Sequence, residues 1–341
     1  MRVLAVLIRL EGGGAEASVA RIIPPLLRRG VIVQRASCEI AWPGEQSDPS
    51  RSLANPYGDN PLGWLRSAWK LRQQVLNFRP DIIHVHCERP ELIVAIAKWM
   101  HWLGRVPIIV TEHTREPWKQ HPIVGRVVRR ILTAHSARFV ACYTGGKAGI
   151  SVIYNPANPE LPARDLPAAL ERIVVIGRLN DGKRVSWILN AASRAKVACP
   201  IVVTGDGPAR RHLSILAGLL ALDVTFRGFQ KDPWSDVRSG DLFVTASSFE
   251  GEPLAVIEAI AARVPALMSR ISGHEGLAHS PDQLFSSVEG LVDRLKFAME
   301  PKGLSALIPS LRFRETILSA RSPESVADRW VREYDILANE S

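Results

Sequence analysis

The residues with the clearest chemical potential lie between Asp241 and Ala262, in the run DLFVTASSFEGEPLAVIEAIAA. An apolar strand pattern ends there in a polar loop containing Glu250. A helix pattern then starts near Pro253, a residue tolerated at the first helical position. Within that helix Glu258 has Leu254, Ala255, Ala261 and Ala262 as its i±3 and i±4 neighbours. A carboxylate in such surroundings is costly to bury alone, so a basic group or a pair of ligand hydroxyls outside the helix is expected to satisfy it. The plainer reading is a glutamate at the exposed edge of a packed helix. Glu250 precedes the helix and lies close to its positive end, where backbone N–H groups suit an anionic ligand.

Two cations extend this picture. Arg178 and Lys183 follow an apolar strand pattern and Gly177. Either alone reads as a solvated loop charge, whereas together, after a strand and a glycine, they read as ligands for an anion. Gly12-x-Gly14-x-x-Ala17 also satisfies a dinucleotide-binding fingerprint, but the acidic residue expected some 20 positions onward is poorly met by Glu39. His84 and His86 alternate on one strand face beside Cys87, a partial metal set with no evident fourth ligand; core or cleft histidines explain them better.

These residues need a scaffold, and the hydrophobic pattern supplies one. Short apolar runs alternate with longer amphipathic stretches, as a parallel α/β sheet requires. Strands are expected at 2–8, 31–35, 82–86, 108–111 and 139–142, then at 172–176, 201–204, 224–226, 242–245 and 266–268. Helices are expected at 16–29, 61–78, 122–139, 185–198, 209–220, 254–262 and 323–337. The proline-rich run NPANPELPARDL, residues 155–166, reads as a linker. The resulting division is a domain over 1–158, a second over 159–322, and a helix over 323–341 that crosses back to the first domain. Two doubly wound domains in tandem place their strand ends, and hence ligand sites, around a shared cleft.

E-G-E-P-L-A-V-I-E-A, residues 250–259, is similar to the E-x(7)-E signature of the retaining family 4 GT-B glycosyltransferases. Other segments agree in order. Gly12-Gly13-Gly14-Ala15-Glu16 resembles the family's first glycine-rich loop, and residues 81–86 (DIIHVH) its D-I-I-H-x-H strand. Thr111-Glu112-His113 resembles T-x-H, and residues 153–156 (IYNP) the I-x-N segment. Gly177-Arg178-Leu179 with Lys183 resembles G-R-L-x(3)-K, residues 205–208 (GDGP) the G-D-G-P turn, and Phe226-Arg227-Gly228 the F-x-G before the nucleotide loop. The resemblance covers roughly residues 1–270 and the last helix.

The resemblance implies a nucleotide-diphospho-sugar donor, a glycan or lipid-linked acceptor, and retention at the anomeric carbon. Arg178 and Lys183 would neutralise the diphosphate, and Glu258 would bind the ribose hydroxyls. Glu250 would lie beside the sugar, with backbone amides around Gly251, Pro253 and Leu254 holding sugar and phosphate. His113 would contact the sugar from the other domain, and Gly13 and Gly14 would let backbone approach the phosphates or acceptor. Glu250 as nucleophile and Glu250 as charge stabiliser both remain open, the family favouring front-face attack over double displacement. Charge building on the leaving diphosphate needs a stabiliser. No two aspartates are spaced as the Asp-x-Asp pair common in metal-dependent transferases, so cations and a helix end are the available substitutes. No metal or other cofactor is expected. Two alternatives stand beside the enzyme reading: a non-catalytic sugar-nucleotide-binding scaffold, and a sugar-nucleotide epimerase.

Departures from the family pattern are Arg263 in place of a common glycine, Glu252 as a third acid near the site, and a short 139–154 segment. The charge is lopsided: residues 1–160 hold 21 Lys and Arg against 12 Asp and Glu, and the remainder holds 22 of each. A one-sided basic surface attracts polyanions, and contact with an anionic membrane face is the preferred expectation. Nucleic acid is not expected, because no binding motif accompanies the charge. The longest apolar stretch, 92–103, is broken by Lys98 and His101 and is too short to span a bilayer. The start MRVLAVLIRL imitates a signal peptide, but Arg9, Glu11 and the lack of a cleavage site favour a buried strand. Four cysteines without metal-ligand spacing suggest a reducing compartment, hence a cytoplasmic protein.

Overall fold

Apolar runs too short for helices, each followed by a turn and an amphipathic stretch, fold as buried parallel strands joined by crossover helices. The computed structural model describes residues 1–39, 51–54, 60–143, 149–158, 161, 163–164, 169–300 and 302–340. The chain begins β1 (Arg2–Leu7), α1 (Gly14–Arg28), β2 (Ile32–Ser37), α2 (Pro61–Phe78), β3 (Ile82–His86) and α3 (Glu88–Trp99). It continues with β4 (Ile108–Glu112), α4 (Pro122–Ala134), β5 (Arg138–Ala141), β6 (Ser151–Val152), β7 (Arg172–Ile176), α5 (Val185–Arg194), β8 (Ile201–Thr204) and α6 (Arg210–Leu219). Then come β9 (Val224–Gly228), β10 (Asp241–Thr245), α7 (Leu254–Ala262), β11 (Ala266–Ser269), α8 (Ser272–Glu275), β12 (Leu284–Phe285), α9 (Val288–Met299), α10 (Gly303–Ala306), α11 (Leu311–Ser319) and α12 (Pro323–Asn339).

Two units result: Met1–Pro156 with Pro323–Ser341, and Ala157–Ser322. Residues 159, 160, 162, 165 and 166 of the expected linker, and residues 144–148 of the short segment, lie outside the described residues. In the first unit the strands run parallel in the order β2-β1-β3-β4-β5-β6. One face is covered by α2, α3 and α4, which bury Leu71, Val94 and Val128 against Leu4, Ile83 and Val110. The other face packs Val3, Ile82 and Ile109 against Ile22 and Leu26 of α1 and Trp330 and Tyr334 of α12. Thus α12, though last in sequence, completes this unit. Arg29 ties it to α1 through Asp328 at 2.6 Å and Glu324 at 2.7 Å, and Arg138 bonds Glu333 at 2.6 Å.

The second unit has the parallel order β12-β11-β10-β7-β8-β9. Strand order reverses between β7 and β10, a switch point at whose carboxyl ends doubly wound sheets bind ligands. Backbone packing shapes that end. Gly205 (φ 138°) and Gly207 (φ 156°) lie against the carbonyls of Gly177 and Leu179, where any side chain would collide. Backbone bonds from Gly177 to Thr204 (3.0 Å) and Leu179 to Asp206 (2.9 Å) lock the two turns together. At the opposite end of β7, Arg172 bonds the fully buried Asp241 at 2.8 and 2.6 Å.

Several sequence expectations need correction. Helix α4 stops at Ala134 and α5 at Arg194, because Ser136 and Lys196 take left-handed backbone that ends each helix. Pro253 is the residue before α7, not its first helical residue. Leu65, Trp69 and Leu76 of α2 are exposed. Arg263, which stands where the family commonly has glycine, follows α7 directly. It adopts φ 55°, ψ 38°, the left-handed conformation a glycine would take there. That costs of order 1 kcal/mol for a residue with a Cβ.

Candidate active site

In the second unit the switch point brings together residues far apart in sequence. The loop after β7 forms a single 3-10 turn, Asp181–Lys183, capped by the Asn180 side chain. It presents the Lys183 ammonium to Glu250 Oε1, carried on the loop after the neighbouring β10. Ser247 Oγ donates to the same carboxylate oxygen at 2.8 Å. Ser248 ties the two loops, its backbone N–H reaching Gly182 O at 2.8 Å and its hydroxyl the same oxygen at 3.0 Å. Burial pushes the Glu250 carboxyl up, but the Lys183 ammonium and the Ser247 hydroxyl outweigh it and hold Glu250 below the usual carboxylate range. Glu250 is therefore an oriented anion at neutral pH.

His274 was not singled out by its sequence position. It is fully buried, and its Nδ1 lies 2.8 Å from Ser269 O. Gly273 packs so closely on the Glu250 backbone that a side chain there would meet Glu250 O at 2.6 Å. Burial lowers the His274 pKa, so the ring stays neutral beside Glu250.

Glu258 is 6% exposed and its Oε2 accepts a 2.6 Å hydrogen bond from Trp234 Nε1. The exposed-edge reading is thus wrong, and one partner outside the helix is an indole. Gly251, Pro253 and Leu254 are buried at the start of α7, which no side chain caps. Arg178 is exposed on the loop after β7. Glu252 does not add a free acid. Its carboxylate accepts from the buried guanidinium of Arg321 at 2.7 Å and anchors the chain after α11.

In the first unit Gly13 and Gly14 are exposed at the start of α1, and the space beside Gly13 is filled by the Glu16 carboxylate. His113 follows β4, and its Nε2 lies 3.0 Å from His86 Nδ1. His84 is held between Tyr334 Oη (2.8 Å) and Thr111 Oγ1 (2.7 Å), with its ring 4.4 Å from that of Trp330. These contacts, with α12 behind them, account for the strand histidines; among the described residues no group of three His, Cys, Asp or Glu is placed to hold a metal ion. Burial lowers all three pKa values, His84 to about 3, His113 to about 4 and His86 well below its usual value. The sign follows: an unfolded chain takes up these protons below about pH 6.5 while the folded one does not. Stability should therefore fall steadily as pH drops from about 6.5 towards 4. Urea titrations across that range check this, and His113→Asn should flatten the slope.

Comparisons with known proteins show the family of the chain. A family profile described as "Glycosyltransferase Family 4" matches residues 12–161, and one described as "Glycosyl transferases group 1" matches residues 171–300. The chain is 31% identical over 264 residues to alpha-D-kanosaminyltransferase of Streptomyces kanamyceticus, covering 65% of this chain and 67% of that protein. It is 24% identical over 357 residues to the lipopolysaccharide core biosynthesis glycosyltransferase LpsD of Rhizobium meliloti, covering 95% of each. Of two further curated relatives it spans 59% and 62%. In fold it is similar to Anabaena HepE, solved in complex with UDP-glucose, with TM-score 0.76, 17% identity and coverage of 99% of this chain and 100% of that one. The chain belongs to the family 4 glycosyltransferases, enzymes of GT-B fold.

No helix among the described residues is long and apolar enough to cross a membrane.

Proposed function

We propose that this protein is a retaining, metal-independent glycosyltransferase. It moves a sugar from a nucleotide-diphospho-sugar, a UDP- or GDP-sugar, to a glycan or lipid-linked acceptor in cell-surface polysaccharide assembly. The observation that carries the reading is the Lys183–Glu250–Ser247 constellation at the switch point of the second unit. It places a cation and an oriented carboxylate beside the start of α7, with Glu258 further along the same helix. In this reading Lys183 and Arg178 take the charge that builds on the diphosphate, and the first N–H groups of α7 assist. Glu258 receives the ribose hydroxyls and Glu250 stabilises the reacting sugar, and His113 is assigned to sugar binding. Gly13 and Gly14 leave room for acceptor or phosphate.

A cytoplasmic enzyme working at the membrane face suits the charge asymmetry. Exposed Leu62, Trp69 and Leu76 on α2 and Ile123 and Val127 on α4, beside Arg66 and Arg130, support peripheral contact with anionic lipid.

The test is direct. Transfer from a radiolabelled nucleotide sugar should proceed at full rate in EDTA and be lost in Arg178→Ala and Glu258→Ala, both still folded by circular dichroism. Loss of transfer in EDTA, restored by a divalent cation, overturns metal independence. Robust transfer by both variants removes the site assignment.

A further inference from the structure

A cavity of about 560 Å³ opens beside the carboxyl end of β4, wholly within the first unit, a size typical of small-molecule sites. Part of the charge in its wall is already spent. Arg129 bonds Glu112 and, at 3.3 Å, Glu91. Tyr143 donates to Glu112 at 3.0 Å and the Trp118 indole to Glu91 at 2.9 Å. Lys119 pairs with Glu116 at 2.6 Å.

Two lining cations remain. Among the described residues neither Arg115 nor Arg126 has a carboxylate within ion-pair distance. Arg115 is held over the Tyr143 ring, 5.1 Å from its centroid, and its Nε is buried without a hydrogen-bond partner. The first turn of α4, which lines the cavity at Pro122 and Gly125, has no acidic residue and no side-chain cap, so its dipole adds potential of the same sign.

We propose that this cavity binds a phosphate group of the acceptor. A phosphate carries up to two charges and three free oxygens, and so can engage two guanidinium groups together. A carboxylate has one charge and two oxygens and leaves part of that set unmet. The acceptor assignment rests on the transferase reading above; anion binding by the cavity does not.

The experiment uses the full chain with excess UDP, which fills the diphosphate site expected in the second unit. Inorganic phosphate is titrated in and followed by ³¹P line width. Saturable binding is expected, weakened about tenfold or more in the double variant Arg115→Gln/Arg126→Gln, as loss of charge-assisted hydrogen bonds predicts. Equal binding by wild type and double variant overturns the proposal, as does displacement of phosphate by glucuronate at equal concentration. Two further probes identify the source of the phosphate. Competition by glucose 6-phosphate points to a soluble phosphosugar, and competition by phosphatidic acid in phosphatidylcholine vesicles to a lipid phosphate. UDP affinity, measured separately by calorimetry, reads the donor site. Its absence would sink the donor assignment while leaving the phosphate result standing.

Discussion

Glu250→Gln should lower sugar transfer by about 10²–10³-fold, the usual cost of losing one preorganised electrostatic stabiliser. The substitution keeps the size of the side chain and a hydrogen-bond acceptor for Ser247, but removes the charge that Lys183 faces. Its stability cost should be about 1–2 kcal/mol, because Lys183 retains partial access to water. The reciprocal variant, Lys183→Met, separates charge from shape. In the wild type the depressed Glu250 pKa contributes stability that is present above the ordinary carboxylate range and lost as pH falls through the folded-state value. Without Lys183 burial dominates and the Glu250 pKa rises, so the same group should instead destabilise the fold as pH increases from 4 to 7. Single-turnover transfer and urea unfolding at several pH values check both. A Glu250→Gln enzyme with wild-type turnover would dismiss the carboxylate from the chemistry.

Trp234→Ala should be among the most destabilising single changes in the second unit, by about 3–5 kcal/mol for a buried aromatic. Trp234 is 1% exposed, packs on Phe243 with ring centroids 5.5 Å apart, and donates to Glu258. Trp234→Phe isolates the polar part. It keeps most of the packing, removes a donor from a buried carboxylate, and should cost about 1–3 kcal/mol. If Glu258 serves the donor nucleotide, Trp234→Phe should also raise the donor KM more than it lowers kcat, since the indole fixes the direction of the carboxylate. Chemical denaturation with parallel kinetics decides this. A cost below about 1 kcal/mol for the alanine variant would mean that the indole is not the anchor.

Local signals were enough to define α2 and α7 to the residue, because each couples an apolar stripe to a proline near its start. They were also enough to see that Glu258 needed a partner. They did not name Trp234, which comes from a separate loop 24 positions away and reaches Glu258 only through tertiary packing. The same argument, applied to the run ELIVAIAKW, would have flagged Glu91, which is 1% exposed on α3 and satisfied by Trp118 and Arg129. That signal was available, but the stretch was weighed only as a possible membrane span. His274 offered none, since a histidine after a short strand has no period or spacing that marks it for burial beside Glu250. The short strands β6 and β12 were missed because two residues carry no alternation to read.

Helix α12 has a consequence for how the protein is born. The histidine strand β3 and the face beneath it are closed by Trp330 and Tyr334, yet all of 157–322 must leave the ribosome first. At 5–20 residues per second that is a wait of roughly 10–30 s. During this interval the first unit is a nascent chain with an uncovered apolar wall, while the second can fold as an uninterrupted segment. Chaperone demand during synthesis should therefore fall on the half translated first, which reaches its native state last.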